Sequence, residues 1–133
     1  MAEKDALSAI RGMDYVVLFV RDMAPMKKFY TEVLHFPVYR ELFDGGWVEL
    51  KVGATLLALS RRGGLFPDAP PAPGNACIQF AFRVAPDEVT KCADALTAQG
   101  IELAHPVTDQ PFGHRTVFFR DPESNIIEIY ADI

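Results

Sequence analysis

Cysteine is scarce in this chain of 133 residues, with only Cys77 and Cys92 present. Two thiols cannot build the disulfide framework on which small secreted domains rely, so packing must hold the fold together. Positive charge is also short, 13 Lys and Arg against 18 Asp and Glu, for a net charge of −5. That balance argues against nucleic acid or an anionic membrane surface as a partner, because both reward clustered bases. It suits a cationic ligand only in a general way. No apolar run reaches the length of a membrane span, and the opening MAEKDALSAIRG has no apolar core of signal-peptide length. The expected location is therefore cytoplasmic, with both thiols reduced, Cys77 buried in a strand and Cys92 in a helix. Nucleophile elbows (GxSxG), phosphate loops (GxxxxGK[ST]) and CxxC pairs are all missing.

Hydrophobic residues make up 50% of the chain, enough for one domain with a sizeable core. Their order is written twice. Tyr15–Val20 is a β-rich run. Met23–Leu34 then places Met26, Phe29, Tyr30, Val33 and Leu34 at helical spacing, with Asp22 as expected N-cap and Pro25 in the first turn. Strands are expected over Pro37–Leu42, Trp47–Val52 and Ala54–Ser60, separated by Asp44-Gly45-Gly46 and Gly53. The second half repeats the series: strand Cys77–Val84, a helix from Pro86-Asp87 to Gln99 ended by Gly100, then strands at Ile101–Val107, His114–Arg120 and Asn125–Tyr130. Residues 61–75 (RRGGLFPDAPPAPGN) read as a Pro/Gly-rich linker or surface loop. The expected fold class is α+β, one domain over 1–133, with tandem βαβββ modules at 14–60 and 76–131.

The two-residue period of a strand sorts the faces. Val16, Leu18 and Val20 oppose Tyr15, Val17 and Phe19, while Phe80, Phe82 and Val84 oppose Gln79, Ala81 and Arg83. The uniformly apolar sets belong against the helices. The mixed sets, with Tyr15, Gln79, Arg83, Glu128 and Tyr130, then line the other side of a curved sheet. Glutamate is disfavoured in strands and seldom buried without a partner, so Glu128 in the middle of Ile126–Tyr130 is expected to face a cleft.

VVLFVRDMAPMKKFYTEVLHFPV (16–38) and PFGHRTVFFRDPESNIIEIY (111–130) resemble the opening and the ending of the vicinal oxygen chelate superfamily. That superfamily includes glyoxalase I, extradiol dioxygenases, fosfomycin-resistance enzymes and bleomycin-binding proteins. The resemblance runs from about 14 to 131 and implies paired modules whose curved sheets form a cup. In the family's enzymes a divalent metal sits in the cup, held by the first and last strands of each module. The corresponding positions here are Tyr15, Ala58, Gln79 and Glu128. Ala58 has no donor atom, and Tyr15 would have to lose a proton from a phenol whose ordinary pKa is near 10. The resemblance thus implies an incomplete metal set.

Two readings follow. One is a small-molecule-binding protein of bleomycin-resistance type with no cofactor, a homodimer whose groove is lined by Tyr15, Phe19, Trp47, Phe112 and Tyr130 and polarised by Gln79, Glu128 and His114. The other is a metal-dependent lyase, isomerase or dioxygenase in which His114 or Glu49 rebuilds the coordination around Glu128. Taken alone, Glu49 reads as a surface residue, His35 as structural at the helix end, and His105 as exposed.

Overall fold

The structure is a computed structural model that describes residues 5–133. The reading of the first residues as free of a leader, and the start of the domain at residue 1, fall partly outside that range. After a short turn at Leu7–Ala9 the elements are β1 (Tyr15–Val20), α1 (Met23–Lys28), β2 (Val38–Leu42), β3 (Trp47–Val52) and β4 (Thr55–Arg61). They are followed by β5 (Gln79–Arg83), α2 (Glu88–Ala98), β6 (Leu103–Asp109), β7 (His114–Arg120) and β8 (Ile126–Asp132). The strands form two sheets of four with the same order, β1-β4-β3-β2 and β5-β8-β7-β6. In each, the first strand runs parallel to the last and the other neighbours are antiparallel. The chain is α+β with a doubled βαβββ order, its sheets open and curved as a cup requires.

The apolar faces of both sheets meet the helices in one core. Leu18, Val20, Val48, Leu50, Leu57 and Leu59 from the first sheet join Val117, Phe119, Ile127 and Ile129 from the second, with Met26, Phe29 and Tyr30 between them. In α2 the buried residues are Val89, Ala93 and Leu96, one stripe at helical spacing. Gly100, with φ +79°, ends that helix while Ile101 N–H donates back to the Leu96 carbonyl at 3.0 Å, the return bond that a left-handed residue permits.

The first helix departs from the sequence expectation of one α-helix over Met23–Leu34. Its α-helical part stops at Lys28, and Phe29–Val33 widens into a π-helical turn, with Leu34 N–H donating to the Phe29 carbonyl. His35 then takes a left-handed backbone at φ +61°, which ends the helix as a glycine would. Asp22 makes no side-chain cap. Instead the Glu123 carboxylate, from the turn before β8, accepts N–H bonds from Arg21 (2.8 and 2.9 Å) and Asp22 (3.1 Å). A carboxylate there also complements the positive end of α1.

The two halves are joined at a second point through the turn at 121–125. Tyr30, fully buried, donates its hydroxyl to Asp121 at 2.7 Å. Asp121 also accepts from the backbone of Glu123 and Asn125 and from the Asn125 amide, so every donor around it is satisfied. Burial, reinforced by the Asp121 carboxylate, holds the Tyr30 phenol well above its ordinary range and therefore neutral. Phe29 against Phe119 (6.2 Å) and Phe36 against Phe82 (5.4 Å) extend the same junction with aromatic contacts. The DPESN turn thus serves as a structural clasp.

Two sequence expectations fail here. Cys77 is exposed, because β5 begins only at Gln79 and the residues before it lie in the connecting loop; Cys92 is half-buried in α2, and both thiols are free. Arg61 belongs to β4, so the irregular connection starts one residue later than expected.

Candidate functional site

Strand register lines up the mixed face row by row. In the first sheet, Val17 pairs with Ala58, Ala58 with Glu49, and Glu49 with Arg40. The matching row of the second sheet runs Ala81, Glu128, Phe118, His105. Each row carries one carboxylate, displaced by one strand: the first half has Ala58 where the second has Glu128, and Glu49 where the second has Phe118.

Glu49 is buried, which corrects its reading as an ordinary surface residue. Both oxygens are engaged, one by Arg40 Nε at 2.9 Å and the other by the Trp47 indole N–H at 2.7 Å. These two hydrogen bonds hold its pKa below the usual carboxylate range. Trp47 is thereby fixed by its polar edge, and its ring meets Tyr15 edge-on at 6.4 Å.

A cavity of about 740 Å³ opens over this half of the face. Tyr15, Val17, Phe19 and Trp47 line it, together with Phe43 and Ser60; the end of β4 supplies Arg61, and the segment after it supplies Arg62, Leu65 and Phe66. Phe66 meets Phe19 edge-on at 6.3 Å, so the 62–66 segment folds back over the sheet. The volume falls within the usual range of small-molecule sites, about 300–1,000 Å³. By contrast, the cleft that Val17–Phe19 share with Cys77, Ile78 and the 122–125 turn is about 220 Å³.

The second half of the face holds two separate groups. Gln79 Nε2 donates to Glu128 at 3.3 Å; Gln79 is exposed and Glu128 half-buried. Farther along β8, His114 stacks on Tyr130 (4.6 Å), touches Phe112 (5.2 Å) and sets Nε2 3.3 Å from Asp132. Arg83 lies over the Tyr130 ring, donates to its hydroxyl at 3.0 Å, and pairs with Asp132. His114 stands opposite Asp132 and Phe118 opposite Glu128. Four strand residues, about 13 Å, therefore separate His114 from the Glu128 row. Tyr15, Phe19 and Trp47 come together, as do Gln79 with Glu128 and Phe112 with His114 and Tyr130, but the eight do not form one cluster.

A model of the Glyoxalase/Bleomycin resistance protein/Dioxygenase superfamily matches residues 12–129. The chain belongs to that superfamily. A glyoxalase/bleomycin resistance protein/dioxygenase from Nocardioides superposes with a TM-score of 0.81 at 21% identity, over 99% of this chain and 91% of that one. A lactoylglutathione lyase from Agrobacterium tumefaciens gives 0.74 at 22% identity, covering 92% and 95%. A virulence protein from Salmonella typhimurium gives 0.73 at 27%, covering 93% and 98%.

Of the four residues that the resemblance sets against ligand positions, Tyr15 is a half-exposed phenol, Ala58 is fully buried, and Gln79 and Glu128 are hydrogen-bonded to each other. Among the described residues no group of three or more His, Cys, Asp and Glu side chains is placed to hold a metal ion. Sequence reasoning missed Phe43, Arg61, Arg62 and Phe66. The signal available was RRGGLF itself: two bases and two large apolar residues around a Gly-Gly pair, in what otherwise reads as a solvated linker.

Proposed function

We propose that this superfamily member binds a small organic molecule without a catalytic metal, in the manner of the bleomycin-resistance type. The observation that carries the proposal is the aromatic cavity of about 740 Å³ over Tyr15, Phe19, Trp47 and Phe66. Aromatic rings supply large contact area at little conformational cost, and Glu49 fixes one of them in place. The donor set at the four ligand positions does not fit a divalent metal: Ala58 contributes nothing, Tyr15 would need deprotonation, and Gln79 is a weak neutral ligand. Glu49 is a poor substitute: its charge is already paired with Arg40, Trp47 donates to its other oxygen, and among the described residues no third His, Cys, Asp or Glu joins it to make a metal set. A rebuilt metal site remains the competing reading, resting on Gln79 and Glu128 standing together.

Tyr15, Phe19 and Tyr39 are half exposed, and Phe43 and Phe112 are largely exposed. We read that exposed aromatic surface as one a second copy covers, giving a homodimer whose groove extends from the cavity toward Gln79, Glu128, His114 and Tyr130. A native mass of one chain at micromolar concentration would count against it. The two free thiols suit a cytoplasmic setting, and among the described residues no helix is long and apolar enough to cross a membrane.

Trp47 is the sole tryptophan, so its emission reports on the cavity directly. A screen of small organic molecules should yield ligands that shift Trp47 emission equally with and without excess chelator, and Phe66→Ala should weaken them about tenfold or more, the loss of a buried aromatic contact. Ligands that bind only when a divalent metal is added would overturn the proposal.

A further inference from the structure

The cavity over the first sheet has a marked polarity of charge. It is lined by two arginines, Arg61 and Arg62, and by no aspartate or glutamate. In a chain of net charge −5 that is a local reversal. Most other arginines on the two sheets have an acceptor: Arg40 has Glu49, Arg83 has Asp132, Arg115 has Asp109, and Arg120 has the Ser124 carbonyl. Neither Arg61 nor Arg62 forms an ion pair among the described residues.

Arg62 goes further. Its Nε is shut away from solvent and has no hydrogen-bond partner. A guanidinium N–H removed from water and left without an acceptor is a costly arrangement, because desolvation is not repaid by any bond. Arg62 stands on the wall between the two clefts, lining both the larger cavity and the smaller one beside Asn75 and Glu123. Arg62 therefore borders, through the rest of its side chain, space that a ligand can enter, and five of the residues lining the larger cavity are aromatic: Tyr15, Phe19, Phe43, Trp47 and Phe66.

We propose that the natural ligand is a small organic anion, an aromatic or otherwise apolar body carrying a carboxylate, whose oxygens accept from Arg62 and Arg61 while its body packs between Trp47, Phe19 and Phe66. This rests on the reading of that cavity as the binding site and specifies the charge of what it takes. An arginine fork matches a carboxylate in shape as well as in charge, and such charge-assisted bonds strengthen where water is excluded. The overall negative charge of the chain opposes binding at long range, so selectivity resides in the local pair and the sign preference is set inside the cavity.

The test uses three probes with one phenylpropyl body: hydrocinnamate (anion), phenylpropanol (neutral) and phenylpropylamine (cation), each titrated against the full chain by Trp47 emission. The expected order is anion, then alcohol, then amine, with the anion at least about tenfold ahead of the alcohol, the factor equivalent to about 1.4 kcal/mol. Arg62→Met keeps an unbranched apolar stem, removes the guanidinium and should remove most of that preference, weakening the anion about tenfold more than the alcohol. Its thermal midpoint is measured alongside, and if it fails to fold the wild-type order of the three probes still decides. Equal binding of anion and alcohol, or tighter binding of the amine, overturns the anion assignment while leaving the cavity as the site. No response to any probe overturns the assignment and the cavity reading together.

Discussion

At the scale of single residues, the carboxylates decide the character of this face. Glu49 shows why: its strand neighbours are apolar, and it stays charged because Arg40 and Trp47 each donate to it. Its pKa is depressed in the folded chain, so its contribution to stability is present above the unfolded carboxylate value, about 4.3, and is lost as pH falls through the lower folded value. Glu49→Gln should therefore destabilise the protein near neutrality, and the gap to wild type should narrow as pH is lowered below about 4 in denaturant titrations. A gap that stays constant across that range would mean the carboxylate is not held charged by its partners. None of this was legible in the sequence, where a glutamate between Val48 and Leu50 looks like any strand residue with one wet face. His35 was legible as a helix end, since His, like Asn and Asp, adopts the left-handed region more readily than most non-glycine residues. Cys77 was misread because periodicity places a strand but cannot place its first residue, and the loop holds on until Gln79.

Elements follow the same division between what pattern shows and what tertiary contact decides. The bounds of β1, β3 and β7 agree with those expected at Tyr15–Val20, Trp47–Val52 and His114–Arg120; β1 and β3 each have one uniformly apolar face, and β7 buries Val117 and Phe119 on one of its faces. The apolar spacing of Met23–Leu34 marks a helix but not its change to a π-helical turn at Phe29, which occurs where Phe29 and Tyr30 dock on Phe119 and Asp121 of the other half. The start of α1 is likewise set from outside, by Glu123 in place of Asp22. Glu123→Ala should lower stability by about 1 kcal/mol, the usual worth of a capping acceptor, and should speed hydrogen exchange at the Arg21 and Asp22 amides. An unchanged exchange rate at both would mean that the core alone fixes this helix end. The 62–66 segment was the least legible: proline and glycine around it argue for a solvated loop, yet Phe66 returns to the sheet against Phe19, and Arg62 lines the cavity with it.

For the whole molecule, duplication makes the two halves alike in topology and different in chemistry. Corresponding rows hold Ala58 opposite Glu49 in one half and Glu128 opposite Phe118 in the other. The first half spends its carboxylate on anchoring Trp47 beneath an aromatic cavity. The second carries its carboxylate at Glu128, hydrogen-bonded to Gln79. On the proposed reading, Glu128 is the remaining acid of a ligand set that this chain does not complete. The measurement that bears most directly on the account is a calorimetric titration of the chelator-stripped protein with Zn, Ni, Mn, Fe(II) and Co, run beside Glu128→Ala. The account expects no binding tighter than about millimolar, equivalent to roughly −4 kcal/mol, and no difference between the two proteins. Tight binding of one ion per chain that disappears in Glu128→Ala would contradict it.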